Sequence, residues 1–149
     1  MINTLTQQKI ESMRFETQKD VDRENKAMRT IANRYGWEYQ KLGAHDVDFY
    51  IRDVGYLEVK GRNRYIGDAF PLPLAERKYK KLMDKPLNSI IVWSCFDGLI
   101  YADLSKITFT KRTGGRTPRN GSSNDIEMMY YIDEQPNLRY SFDVLTKPW

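Results

Sequence analysis

Cysteine and histidine are almost missing from this sequence. Among its 149 residues there is one cysteine, Cys95, and one histidine, His45. A disulfide framework or a cysteine-rich zinc site needs several cysteines, and most histidine-based metal sites need several histidines, so these classes are excluded. A Ser-His-Asp catalytic arrangement is not evident either. Cys95 lies in the apolar run 90–96, and we interpret it as a small buried hydrophobic residue.

Long apolar segments are also missing. No stretch approaches the ~20 apolar residues that a membrane-spanning helix needs, and the first residues lack the apolar centre of a secretory signal. We therefore expect no membrane partner and a location in the cytoplasm of whichever cell hosts the protein. A length of 149 residues favours a single domain over 1–149, because it is too short for two independent cores.

The net charge is only +4, but basic residues are concentrated in two stretches. Between Lys60 and Lys85 there are eight basic residues against three acidic ones, and between Lys106 and Arg119 five basic residues occur without an acidic one. Such stretches suit a polyanionic partner, because neutralised phosphates release their counterions. An ordinary solvated surface has the same appearance, so both interpretations stay open for each stretch.

Residues 46–61 have the pattern of a β-hairpin whose two faces differ in chemistry. Two short segments of period two flank a predicted tight turn at 53–55. The odd positions are apolar and are predicted to share a buried face: Val47, Phe49, Ile51, Leu57 and Val59. The even positions gather carboxylates around an amine: Asp46, Asp48, Tyr50, Glu58 and Lys60. The even face is therefore the candidate site.

The register of this hairpin decides which polar side chains meet. A three-residue loop at 53–55 predicts the pairs Arg52–Tyr56, Tyr50–Glu58 and Asp48–Lys60. Asp48 and Glu58 then become diagonal neighbours, with α-carbons roughly 7–8 Å apart on one surface. Two carboxylates at that separation can converge on one hard cation such as magnesium. Lys60 beside them is suited to hold an anionic oxygen.

Asp48, nine intervening residues and then Glu58-Val59-Lys60 resemble the motif of the PD-(D/E)XK nuclease superfamily, with Val47 in place of the proline. The resemblance implies an α/β fold with a restriction-endonuclease-like mixed β-sheet flanked by helices. It also implies a metal-dependent nuclease that hydrolyses DNA phosphodiester bonds, most simply an endonuclease of a phage or resolvase-like type acting in an infected host cell. The implied cofactor is Mg²⁺, with Mn²⁺ as a substitute. The implied ligands are Asp48, Glu58 and the backbone carbonyl of Val59, while Lys60 would assist the attacking water or the transition-state charge.

Three further residues near this motif keep alternatives open. Glu24 lies on the apolar stripe of a helix predicted over 17–35, where the resemblance implies an extra metal ligand. The alternative is a stripe-edge carboxylate that pairs with Arg23, Arg14 or solvent. Asp46 shares the face of Asp48, as an outer-shell ligand or as the true ligand in its place. His45 is a base, a phosphate contact or merely an exposed side chain.

The remaining pattern predicts further elements. Aromatic alternation favours a strand over 37–42, and Pro73 is predicted to open a helix that continues to Asp84. The apolar run 90–96 predicts a strand buried on both faces, which turns at Asp97-Gly98 into a strand over 99–104. This core, about 17–104, is followed by a C-terminal β extension. It comprises a basic glycine-rich loop over 111–125 and two closing strands over 126–132 and 138–145 around a turn.

Eight basic residues are candidates for contact with nucleic acid: Arg62, Arg64, Lys78, Lys81, Lys111, Arg112, Arg116 and Arg119. A second hypothesis is a nuclease-like module without catalysis that binds nucleic acid or a host protein. Two carboxylates facing a phosphate without a metal would be a liability for such a binder. If both strands of a duplex are cut, a homodimer is the simplest arrangement, since symmetry presents two sites to two strands.

Overall fold

The computed structural model describes residues 18–43, 47–115 and 126–143. Two α-helices lie within these ranges, α1 (Gln18–Tyr35) and α2 (Glu76–Met83). The same ranges contain nine strands: β1 (Tyr39–Lys41), β2 (Phe49–Ile51), β3 (Gly55–Gly61), β4 (Leu72–Ala75), β5 (Ser89–Cys95), β6 (Gly98–Asp103), β7 (Thr110–Gly115), β8 (Ile126–Ile132) and β9 (Arg139–Phe142). Single 3₁₀ turns occupy Ile66–Asp68 and Leu104–Lys106.

The strands form two sheets. The main sheet has the order β1-β2-β3-β5-β6-β9, and its only parallel pair among the described strands is β3 with β5. The crossover that a parallel pair requires contains β4 and α2. A smaller antiparallel sheet has the order β4-β8-β7. The predicted mixed sheet with a helix in the crossover is therefore confirmed.

Each face of the main sheet has its own apolar cluster. On one face α1 contributes Ala27, Met28, Ile31 and Ala32, which pack with the odd-numbered residues of β2 and β3. On the other face Leu82 of α2 and residues of the smaller sheet pack against Ile91, Trp93 and Ile100. The indole N–H of Trp93 donates to the carbonyl of Pro73 at 3.0 Å, which ties the crossover to the main sheet. The main sheet is thus covered on both sides.

Helix α1 forms where the apolar spacing predicted it and ends at the predicted glycine. Gly36 follows the last helical residue with φ +70°, the left-handed conformation that favours glycine at a helix end. Strands β5 and β6 likewise confirm the buried run and the turn at Asp97-Gly98. Cys95 is half-buried rather than fully buried, and desolvation raises the pKa of its thiol to about 11. Neither described helix is long and apolar enough to cross a membrane.

The start of the second helix was predicted wrongly. Pro73 lies in β4, which pairs with β8 from Leu72↔Ile132 to Ala75↔Met129, and α2 begins only at Glu76. Proline at the first helical position and proline in an edge strand are locally indistinguishable, and β4 is an edge of its sheet. The partner strand lies more than fifty residues away, so local sequence pattern did not reveal it.

Two predictions for the final third also need correction. Residues 111–115 belong to β7, paired with β8, and are not part of a loop; 116–125 lie outside the described residues. The strands β8 and β9 do not pair with each other around the turn 134–137. Instead β8 joins the smaller sheet, and β9 extends the main sheet beside β6. The division into a 17–104 core and an extension within one domain stays a prediction.

Candidate active site on the β2–β3 hairpin

The hairpin exists, but its register is shifted by two residues from the prediction. The pairs are Phe49↔Leu57, Tyr50↔Tyr56 and Ile51↔Gly55, so the loop is 52–54. Asp53 takes φ +62°, and Gly55 begins the next strand with φ +144°. A side chain at Gly55 would overlap the carbonyl oxygen of Asn88, which accepts the Tyr56 N–H at 2.9 Å. Glycine is therefore needed within the strand, where β3 closely approaches the residue before β5.

The shift preserves the parity of the two faces but changes the partner of Asp48. Continuing the observed register by one residue places Asp48 opposite Glu58, whereas the prediction placed it opposite Lys60. Glu58 raises the pKa of Asp48, which agrees with a short separation of the two carboxylates. The predicted apolar face needs one correction. Val47 precedes β2 and packs in the cluster on the other side of the sheet, because the chain is not yet a regular strand there.

Asp48 is anchored to the backbone of the opposite strand. Its Oδ2 accepts a hydrogen bond from the Val59 N–H at 2.7 Å. Strand β2 begins at Phe49, so among the described residues this edge of β3 has no strand partner beyond Leu57. The Asp48 carboxylate accepts the Val59 N–H that a longer strand would otherwise bond. In an extended strand the N–H and C=O of one residue point to the same side. The Val59 carbonyl therefore lies on the same open edge as the Asp48 carboxylate.

The protein environment disfavours the charged form of the Asp48 carboxyl. The pKa of its carboxyl is raised from 3.8 to about 7, first because burial desolvates the charge and next because Glu58 lies nearby. Glu24 raises this pKa further, while the Val59 N–H and Lys60 lower it. Two other carboxylates thus add to the desolvation of Asp48, and a bound cation would relieve both effects.

Glu58 is buried and is contacted by two amines. It is 3% exposed, and its Oε2 lies 3.3 Å from Nζ of Lys60 and 2.8 Å from Nζ of Lys78. Lys60 comes from the same strand, as the sequence pattern predicted. Lys78 comes from α2, and we had assigned it only to contact with nucleic acid. The sequence did not distinguish Lys78 from the other lysines of α2, because only the packing of this helix shows which lysine faces the site.

Glu24 is buried on the face of α1, in agreement with its place on the apolar stripe. It is 7% exposed, and its Oε2 lies 3.1 Å from Nζ of Lys41 in β1. Lys41 is a partner that the sequence analysis did not name, while Arg14, one of the predicted partners, lies outside the described residues. The sequence did not single out Lys41, because only the packing of α1 against the sheet brings β1 close to the helix. Glu24 raises the pKa of Asp48, and its own carboxylate pairs with the Lys41 amine.

The other predicted basic residues are spread over the molecule. Arg62 donates from Nε and Nη2 to the Ala69 carbonyl, at 3.0 and 2.8 Å, so it fastens the connection after β3. Arg64 is exposed near Asp68, and Lys81 is exposed on α2. In β7, Lys111 pairs with Glu76 at 2.9 Å and Arg112 lies over the Tyr131 ring. The remaining candidates lie outside the described residues: His45, Asp46, Arg116 and Arg119.

The donor chemistry around Asp48 fits a hard divalent cation. Asp48 and Glu58 supply carboxylate oxygens, and Val59 supplies a carbonyl on the same edge. Magnesium prefers oxygen ligands and keeps several waters, so it does not need a complete protein cage. No group of three or more acidic, cysteine or histidine side chains converges on one point within 18–43, 47–115 and 126–143. Glu24 is therefore not part of a three-carboxylate cluster in this arrangement.

Comparison with known proteins places this hairpin in a family. A protein-family model described as "Phage putative PDDEXK endonuclease" matches residues 11–136, which include both strands of the hairpin, both described helices and all three strands of the smaller sheet. Searches against curated proteins and against solved structures gave no match. The family model covers most of the chain, and the mixed sheet flanked by helices is the restriction-endonuclease-like architecture predicted from the motif. The chain therefore belongs to the phage PDDEXK endonuclease family.

Proposed function

We propose that the protein is a magnesium-dependent deoxyribonuclease that hydrolyses phosphodiester bonds within DNA, with Mn²⁺ as a substitute metal. The observation that carries this proposal is the placement of Asp48 opposite Glu58, with Lys60 at the Glu58 carboxylate. Membership of an endonuclease family supports nuclease activity in general. The elevated pKa of Asp48, caused mainly by burial, supports a need for a cation at this point.

Asp48, Glu58 and the Val59 carbonyl would hold the metal. When bound, the metal would neutralise charge on the phosphodiester and lower the pKa of a coordinated water. The β-sheet holds Asp48 in place through the Val59 N–H, so the ligand requires little reordering. Preorganised groups of this kind contribute more to catalysis than groups that must first be ordered.

Lys60 and Lys78 would supply positive charge from two directions. Both amines lie within 3.3 Å of one Glu58 oxygen. Lys60 is 35% exposed and extends from the end of β3, so it is placed to orient the attacking water or to hold a non-bridging phosphate oxygen. Lys78 is 20% exposed and is placed to pair with the Glu58 carboxylate and hold its orientation. Ammonium groups act as point charges, which suits the spread negative charge of the transition state.

A non-catalytic nucleic-acid binder is the second candidate, and one observation favours it. The two lysines already neutralise Glu58, so part of the repulsion between the carboxylates and a phosphate is compensated without metal. Such a binder would retain salt-sensitive affinity for DNA in the presence of a chelator, whereas a nuclease would lose its activity there.

The test is cleavage of labelled linear, branched and single-stranded DNA with Mg²⁺, Mn²⁺ or chelator. Wild type is compared with Lys60→Ala, and Lys80→Ala serves as the matched control because this exposed lysine pairs with Glu76 on α2. We expect metal-dependent cutting by wild type and Lys80→Ala, and loss of cutting in Lys60→Ala. Absence of cutting on every substrate, with salt-dependent binding intact, would instead support the non-catalytic binder.

Two further proposals depend on the substrate. If both strands of a duplex are cut, we propose that the protein acts as a homodimer, because a two-fold axis presents one site to each strand. We also propose that the enzyme acts in the cytoplasm of an infected host cell, where its DNA substrate would lie. Sedimentation with and without duplex DNA tests the first of these points.

A further inference from the structure

Exposed aromatic side chains gather at one end of the main sheet, beyond the site described above. Tyr65 and Phe96 are 62% and 58% exposed, and their ring centroids lie 5.2 Å apart in an edge-to-face arrangement. We call these two residues the aromatic platform. Exposed aromatic groups that cluster in this way indicate an interaction surface for a ligand or a macromolecule.

The platform is held together by Asp97 at the tip of the β5–β6 hairpin. The Asp97 side chain accepts the Ile66 N–H at 2.8 Å, and its backbone carbonyl accepts the Asp143 N–H at 2.9 Å. The Phe96 N–H donates to the Arg64 carbonyl at 2.9 Å. The segments that carry Tyr65 and Phe96 are therefore fastened to each other and to the end of β9. The rings are displayed on an ordered surface and not on a loose loop.

The platform lies close to the carboxylates along the direction of the strands. Lys60 pairs with Trp93, and Phe96 follows Trp93 by three residues. At ~3.3 Å per residue, the platform lies about 10 Å beyond Lys60. A DNA strand carries one phosphate per ~3.4 Å of helix axis, so this distance corresponds to about three nucleotide steps. One strand of DNA can therefore contact Lys60 and the platform at once.

Basic side chains of α1 lie beside the platform. Lys19, Arg23 and Lys26 line a cavity of about 270 Å³ that Phe96 also lines, together with Asp22 and Asp143. The Arg23 guanidinium lies against Gly61, the residue after Lys60, and so reaches from this cavity towards the site. Cations next to exposed rings are the combination that binds single strands, where phosphates follow the cations and bases stack on the rings.

We propose that the aromatic platform binds unpaired bases of the DNA substrate by stacking. This inference rests on the proposed nuclease function and names its substrate class: DNA with a single-stranded segment next to the cleavage point, such as a tail or a frayed end. A continuous duplex cannot use the platform in this way, because its bases already stack on one another and offer no free face.

The test measures binding in chelator, so that cleavage does not intervene. The probes are a duplex with a single-stranded tail and the same duplex with blunt ends, and the tail carries 2-aminopurine, whose fluorescence falls on stacking. Stacking contributes ~1–3 kcal/mol per base. We therefore expect wild type to prefer the tailed duplex by about tenfold and to quench the probe.

Variants of the platform isolate the role of the rings. Phe96→Leu and Tyr65→Leu keep an apolar side chain but remove the π-face, and we expect them to lose the preference and the quenching while blunt-duplex affinity stays unchanged. Phe96→Trp retains a ring and is expected to retain the preference. Tyr39→Leu is the matched control, because Tyr39 is 39% exposed but pairs with Ile51 at the opposite end of the hairpin.

Three results would overturn the proposal: equal affinity of wild type for the two probes, an unchanged preference in Phe96→Leu, or self-association that Phe96→Leu abolishes. The last result would identify a second copy of the chain as the occupant of the platform. Failure of the nuclease function is distinguishable from these results. A platform-dependent preference without metal-dependent cutting would contradict the proposed nuclease activity but support the base-binding surface. Metal-dependent cutting of both probes that Phe96→Leu does not change would support the nuclease activity and contradict the base-binding surface.

Discussion

Glu58 is a buried carboxylate that lies between two lysines from different elements. Lys60 is two residues away in the chain, whereas Lys78 reaches the same oxygen from α2. A buried carboxylate of this kind depends on both amines, because removal of either lysine leaves part of the Glu58 charge without compensation. The second lysine therefore belongs to the site as much as the lysine of the motif does.

Replacement of Lys78 tests this assignment. We expect Lys78→Ala to lower kcat for metal-dependent cleavage by about 10- to 100-fold, the range for loss of a side chain that orients a metal ligand. The Michaelis constant should change less, because the amine acts at Glu58 and not on a distant part of the DNA. Steady-state cleavage with Lys80→Ala as the control measures the difference. Wild-type kcat in Lys78→Ala would contradict the assignment.

Asp48 allows a test by pH. Its folded-state pKa of about 7 exceeds the ordinary value of 3.8, so the native state binds the proton more firmly than the unfolded chain. Stability linked to this group is therefore fully present below pH ~4 and is lost as the pH rises to about 7. Asp48→Asn removes the charge but keeps an oxygen acceptor for the Val59 N–H.

We expect the stability advantage of Asp48→Asn over wild type to grow by roughly 1–3 kcal/mol between pH 5 and pH 8, measured in chelator by denaturant unfolding. Most of this growth occurs below pH 7, because the wild-type carboxyl loses its proton there. A constant difference between the two proteins across this range would show that Asp48 titrates normally in the folded state.

At the scale of elements, the contact between Gly55 in β3 and Asn88 before β5 joins the two parallel strands. The glycine lets the two backbones approach, and the adjacent Tyr56 N–H donates to the Asn88 carbonyl. Gly55 also pairs with Ile51 of β2, so it belongs to the hairpin that carries the candidate site.

Substitution of Gly55 should disturb this contact. Gly55→Ala places a methyl group at φ +144° against the Asn88 carbonyl, and we expect a loss of roughly 2–4 kcal/mol in the free energy of unfolding. Gly67→Ala is the control, because a methyl group there meets nothing within 4 Å. Chemical denaturation measures both. Equal stability of the two variants would show that the close approach is not important.

At the scale of the whole molecule, the proposed metal binding would be linked to folding. A cation that binds only the folded protein stabilises it by about 1.4 kcal/mol at ten times its dissociation constant. For a chain of this size we expect a rise of about 3–6 °C in Tm. Thermal unfolding in Mg²⁺, compared with NaCl of equal ionic strength, measures it. Asp48→Asn should lose most of the rise, and an equal rise in both proteins would place the metal elsewhere.

Much of the molecule follows from local pattern. The stripe of α1, its end at Gly36, the buried run of β5 and the turn at Asp97-Gly98 each depend on residues close together in the chain. The spacing from Asp48 to Lys60 is local in the same sense, and it was enough to indicate the family. These features were predictable because helix and strand periodicity is a property of a short segment.

Tertiary structure decided what depends on contacts between distant residues. It decided the hairpin register, brought Lys78 to Glu58 and Lys41 to Glu24, and made β4 a strand by pairing it with β8. It also assigned Arg62 to the Ala69 carbonyl and brought Tyr65 and Phe96 together at one end of the sheet. The sequence by itself thus determined the elements and the chemistry of the motif, because both are local. The partners of each charged group required the fold, because packing and not periodicity selects one lysine or one strand among several equivalent ones.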